Sequence, residues 1–70
     1  MIKDTVNVDY IATRRKELGL TQEELAKKLG MNSAPAYNKY EKGIYKFNAD
    51  VIPALLEALQ CRFDDIFLSH

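Results

Sequence analysis

The stretch Leu18-Gly-Leu-Thr-Gln-Glu-Glu-Leu-Ala-Lys-Lys-Leu-Gly30 limits the possible folds of this chain more than any other. Thr21 and Glu24, three residues apart, form a capping box. The threonine hydroxyl accepts from a backbone N–H of the first helical turn, and the glutamate reaches back to the backbone N–H of the threonine. A helix therefore starts at Thr21. Leu25, Ala26 and Leu29 recur on one of its faces, and Gly30 can take the left-handed conformation that closes a helix without a Cβ penalty. Such a helix has only about two turns, too few to persist in water unless it packs on a neighbour. Residues Ser33 to Lys42 supply that neighbour, which stops at Tyr40-Glu-Lys-Gly43.

The rest of the chain divides into further short helices. The first starts with Asn7 as N-cap, carries Asp9 where the helix dipole is positive, and runs to about Leu18. Val8 or Ile11, then Arg15 and Leu18, fall on its inward face, so a charged residue lies on an apolar stripe. Tyr37 and Tyr40, at i and i+3, read as core-facing rather than base-stacking. After the loop Ile44-Tyr-Lys-Phe-Asn-Ala49, Asp50 is a good N-cap for a fourth helix, because it places Pro53 in the first turn, where a missing N–H is harmless. A start at Asn48 would put the proline deeper and cost a hydrogen bond. Ile52, Leu55, Leu56 and Leu59 form that helix's buried stripe, and Phe63, Ile66 and Phe67 repeat the spacing in a fifth. The expected fold is all-α: five short helices around one core over residues 7–70, with residues 1–6 as an N-terminal arm.

Seventy residues allow one domain, and a chain of this size buries only about 60% of its unfolded surface, so each large apolar residue matters. No apolar stretch approaches 18 residues and no charged-then-apolar leader is present, which predicts a cytoplasmic protein with no membrane partner. One cysteine cannot form an internal disulfide, and Cys61 with His70 cannot build a protein-only zinc site. Cys61 reads as a small buried hydrophobe, and the terminal His70 as frayed. There is no nucleophile with a base and no glycine-rich phosphate cradle, so a non-enzyme without metal, cofactor or small-molecule substrate is expected. The net charge is zero, yet residues 1–47 hold nine Lys/Arg against six Asp/Glu and residues 48–70 hold one Arg against four acids. The basic part could face phosphates with the acidic end turned away. A mixed solvated surface is the plainer alternative.

The order of these pieces resembles the Xre family, the helix-turn-helix DNA-binding domains of lambdoid phage repressor and Cro proteins. The matching residues are Ile11 and Arg15, Gly19-Leu20-Thr21-Gln22 leading into Glu24-Leu25-Ala26, Tyr40-Glu41-Lys42-Gly43, Val51-Ile52-Pro53-Ala54-Leu55-Leu56 with Leu59, and Phe63-Asp64-Asp65-Ile66-Phe67. The resemblance covers roughly residues 8–67. It implies a lambda-repressor-like domain with the helix-turn-helix at helices two and three. It also implies a structural ion pair between Arg15 and Glu41, with a phosphate contact for Arg15 as the alternative. Two departures stand out. One extra residue lies between Gly30 and Glu41, and the loop from Gly43 to Asp50 is slightly longer than the pattern. The first leaves two registers of helix three open, about 100° apart.

In such motifs the second helix enters the major groove while the first crosses the backbone. Gln22 is then expected on a phosphate, or simply solvated. Ser33, Ala34, Pro35, Asn38 and Lys39 are the candidate groove residues: Asn38 could read adenine bidentately, Lys39 could reach guanine, and Ala34 and Pro35 offer apolar contact to a thymine methyl. Lys42, Tyr45, Lys46 and Asn48 are candidates for phosphates beyond the helix-three stop. These features suggest a sequence-specific transcriptional regulator that binds double-stranded DNA half-sites as a homodimer, its subunits meeting through helix five and Phe67-Leu68. The alternative is a protein-interaction module, such as an antitoxin or anti-repressor partner, with weak DNA binding.

Overall fold

The computed structural model describes residues 6–67, so most of the expected arm, and with it Leu68 and His70, lies outside the described residues. Five α-helices follow one another: α1 Val8–Glu17, α2 Gln22–Lys28, α3 Ala34–Glu41, α4 Ile52–Leu59 and α5 Phe63–Phe67. Local chemistry explains most of their ends. The Asn7 side chain accepts from Tyr10 N at 3.1 Å, and the Ser33 hydroxyl accepts from Ala36 N at 3.3 Å. Both halves of the Thr21–Glu24 capping box form, at 3.0 and 2.8 Å.

The helix C-termini repeat one device. At the end of α2, Met31 N donates to Ala26 O at 2.8 Å and Gly30 N to Lys27 O at 3.1 Å, closing a Schellman turn around Gly30, whose φ is +77°. The end of α4 closes the same way, Cys61 N to Leu56 O at 3.1 Å and Gln60 N to Glu57 O at 3.2 Å. Here, however, the left-handed position is held by Gln60, at φ 51°. Arg14 straps this end to α1, donating from Nε to Leu59 O at 2.9 Å and from Nη2 to Gln60 O at 3.3 Å. Nothing local in the sequence marks Arg14 for this task, because its acceptors lie 45 and 46 residues away.

The core gathers Ile11, Leu25, Leu29, Tyr37, Leu55, Leu59 and Ile66, with Ala26 and Ile52 beside them. Asn7 N donates to Ile66 O at 2.7 Å, tying the start of α1 to α5. Three local expectations need correction. Asp50 does not cap α4. A 3-10 turn, Ala49–Val51, leads into the helix from Asn48, and Val51 N donates to Asn48 O at 3.1 Å. Pro53 still falls in the first turn of α4, so this earlier start loses no bond at the proline. Phe63 is 56% exposed instead of buried, its ring stacked on Phe67 with centroids 4.5 Å apart. Cys61 is half-buried instead of buried, lying between the end of α4 and the start of α5.

A candidate nucleic-acid interface on helices two and three

A cluster of polar side chains joins α1, α2 and α3. Arg15, on the inward face of α1, grips Glu41 in a two-pronged pair, Nε to Oε2 at 2.9 Å and Nη2 to Oε1 at 3.1 Å. Its remaining nitrogen, Nη1, donates to Leu20 O at 2.7 Å. The two side chains are only 10% and 9% exposed. A charge that far out of water needs compensation from every side, and Glu41 has it: Tyr37 OH donates to Oε2 at 2.7 Å and Gln22 Nε2 to Oε1 at 3.0 Å. Gln22 Nε2 also donates to Asn38 Oδ1 at 3.0 Å.

The titration behaviour follows from these contacts. Burial pushes the Glu41 carboxyl up, but the hydrogen bonds from Arg15, Tyr37 and Gln22 together outweigh it and hold the group below the usual carboxylate range. The bond to Glu41 raises the Arg15 pKa against its own burial, so the guanidinium stays charged. Burial, then the bond to Glu41, raises the Tyr37 phenol far above its ordinary value.

This network also orients α3. Tyr37 is fully buried and Glu41 faces the network, so Pro35, Asn38, Lys39 and Lys42, at i, i+3, i+4 and i+7, share the opposite or flanking surface. The helix starts after the Ser33 cap and runs Ala34–Glu41, which puts Tyr37 and Glu41 on its inward side. Pro35, Lys39 and Lys42 are exposed, whereas Ala34 and Asn38 are half-buried. Ser33 is exposed, with its hydroxyl engaged as the cap. The loop beyond α3 is pinned by aromatic contacts. Phe47 lies against Tyr37 and Tyr40, with centroids 6.3 and 5.2 Å apart, and Tyr45 meets Tyr40 edge-on at 5.5 Å. Tyr40 is thus half-buried under this loop. Lys39 Nζ sits 5.6 Å over the Tyr45 ring, and Lys46 and Asn48 are exposed nearby.

Most of the residues named from sequence are therefore neighbours on α3 and the loop after it. Gln22 stands apart. Its amide faces inward, with two acceptors for its two hydrogens, instead of outward toward solvent. The Tyr37–Glu41 bond was legible as an i, i+4 pair on one helix. The Gln22–Asn38 bond, across 16 residues, leaves no local signal.

A family model described as helix-turn-helix matches residues 11–66. The chain belongs to the helix-turn-helix family. The match spans α1 to α5, including the Arg15–Glu41 pair, and it is of the Xre type that the motif order resembles. The domain is a DNA-binding regulatory one. No curated protein and no solved structure matches the chain. No helix among the described residues is long and apolar enough to cross a membrane.

Proposed function

We propose that this helix-turn-helix domain is a sequence-specific transcriptional regulator of the repressor or Cro type, binding operator half-sites as a homodimer. The observation that carries the reading is the outer stripe of α3, Pro35-Asn38-Lys39-Lys42, held out by the ion pair behind it. A helix offered to the major groove must be rigid in rotation, and the four hydrogen bonds on Glu41 supply that rigidity. Asn38 and Lys39 then meet base edges, with Ser33, Ala34 and Pro35 at the rim of the groove. Lys42, Tyr45, Lys46 and Asn48 meet phosphates.

One such module covers a half-site, which favours pairing. An apolar groove of about 510 Å³ between the loop before α4, α4 itself and α5 suits a second copy of the chain. It is lined by Phe47, Ile52, Pro53, Leu56, Phe63 and Phe67. Phe63 supplies the exposed apolar surface that such a contact would cover.

Fluorescence anisotropy on duplexes selected from a random pool tests the reading. The expected result is a log K that falls with log salt by about 0.9 per phosphate contact. Lys42→Ala or Lys46→Ala should make that slope shallower by about one while leaving base preference alone. A salt-independent response, or no binding to any selected duplex, would overturn the reading in favour of a protein-interaction module.

A further inference from the structure

Lys39 is tied to the loop that follows its own helix. Beyond Glu41 the chain reverses at Gly43, whose φ is +81°. Gly43 N donates to Tyr40 O at 3.0 Å and Ile44 N to Lys39 O at 2.9 Å, and Tyr45 N shares that second carbonyl at 3.3 Å. Tyr45 is thus brought back beside the backbone of Lys39. Its ring is held from the core outward, because Phe47 lies against both the buried Tyr37 and Tyr40, and Tyr45 meets Tyr40 edge-on with the ring planes 70° apart. Lys39 Nζ sits over the Tyr45 ring, 5.6 Å from its centroid, inside the reach of about 6 Å for a cation–π contact. Among the described residues no carboxylate pairs with Lys39, so its charge remains uncompensated. Both partners are accessible, Tyr45 being 49% exposed and Lys39 exposed beside it.

We infer that Tyr45 is a positioning residue for Lys39, and that through it the loop after α3 sets how strongly the helix discriminates between bases at the Lys39 position. The inference rests on the DNA-binding function proposed above, in which Lys39 meets a base edge, and adds the residue that aims it. A lysine ammonium is a point charge on a flexible four-carbon stem, so an unrestrained one reaches phosphates and the acceptors of several neighbouring bases alike. Attraction to a ring face restricts the stem to conformations that keep the ammonium over the ring, and less freedom is then lost on meeting DNA. The ring occupies only one side of the ammonium. Of its three donors, those turned away from the ring stay available to a base. Water displaced by a duplex strengthens the hold, since a cation–π contact gains as it is desolvated. The Tyr45 hydroxyl takes no part in this device, and a phosphate contact by it is a separate effect.

The test uses the full chain, its best selected duplex and single-base variants of that duplex. Lys39→Ala identifies the base pair that Lys39 reads, as the position where preference among bases falls. Tyr45→Phe, which keeps the ring, should leave that preference as in the wild type. Tyr45→Leu, checked for an unaltered circular dichroism spectrum, should reduce it by about two- to fivefold, the strength of an exposed cation–π contact, and should have no such effect in the Lys39→Ala background. Pentafluorophenylalanine in place of Tyr45, which keeps the shape of a phenyl ring but reverses its quadrupole, should act as Tyr45→Leu does. In the free protein, the ring current of Tyr45 should shift the Lys39 ε-methylene protons upfield, and Tyr45→Leu should return them to their ordinary position. The inference is overturned if those protons are unshifted, if Tyr45→Leu weakens every duplex alike, or if it changes preference as much without Lys39 as with it. It is also overturned if Lys39→Ala changes preference nowhere. Failure of the wild-type protein to bind any selected duplex, with the proton shift present, defeats the proposed function itself, a distinct result.

Discussion

The two halves of this domain are held together by opposite means. Around α2 and α3 the interior contains a charged pair with an amide and a phenol bound to it, and every bond has a direction. Around α4 and α5 the interior side chains are Ile52, Leu55, Leu59 and Ile66, which pack by apolar contact alone while Arg14 and Asn7 bond only to backbone carbonyls beside them, and an apolar groove remains open on the outside. Apolar packing is non-directional, so it sets how close helices lie but only loosely which way each side chain faces. Hydrogen bonds to a buried carboxylate fix rotation and donor polarity as well. The half that carries the proposed groove-facing residues is built with the second kind, and the half proposed to meet a second copy of the chain is built with the first.

The largest expected effect tests the polar half. Glu41→Ala leaves the Arg15 guanidinium buried without its partner, which costs about 3 to 5 kcal/mol, a large share of the stability of so small a domain. Thermal melting should show a domain barely folded at room temperature. A loss below about 1 kcal/mol would put the pair in the class of exposed ion pairs and dissolve the contrast between the halves. Acid titration sharpens the same point. Because the folded-state pKa of Glu41 lies below its unfolded value, its contribution is complete above the ordinary carboxylate pKa of about 4.3 and is lost as pH falls through the lower, folded one. Glu41→Gln, which cannot ionise, should show a shallower fall of stability in that range.

The apolar half is tested from outside. Phe63→Asp should leave the melting of the monomer within about 0.5 kcal/mol, because the ring is already more than half in water. In sedimentation it should abolish dimers. Dimers that persist would place the contact elsewhere and make the open groove incidental.

The smallest effect concerns the seam between the halves. Gln60 holds a left-handed conformation in which a side chain costs roughly 1 to 2 kcal/mol, partly offset by the greater chain entropy that glycine loses on folding. Gln60→Gly should therefore stabilise the domain by about 0.5 to 1 kcal/mol, read as a rise in melting temperature. The Arg14 strap to the carbonyls of residues 59 and 60 needs no side chain at position 60, so it should survive. A drop in stability would mean that the Gln60 side chain holds more than its backbone does.

What was legible in the sequence was local. The caps at Asn7 and at Thr21 with Glu24, and the turn at Gly30, depend on residues three to five apart, so their chemistry is complete before any tertiary contact forms. The inward stripes of α2 and α4 follow from helical spacing in the same way. Only the folded chain decided the rest. Phe63 satisfies the same spacing as Ile66 yet points to solvent, because α5 has a single face to bury and Ile66 takes it. Asp50 has the chemistry of an N-cap yet lies inside a 3-10 turn, because the chain enters α4 from Asn48. Gln22 has the position of a phosphate ligand yet donates inward, because Asn38 and Glu41, 16 and 19 residues away, arrive within 3.0 Å of its amide. A buried carboxylate binds every donor within reach, and which donors those are depends on how the helices cross, which spacing along one chain does not encode.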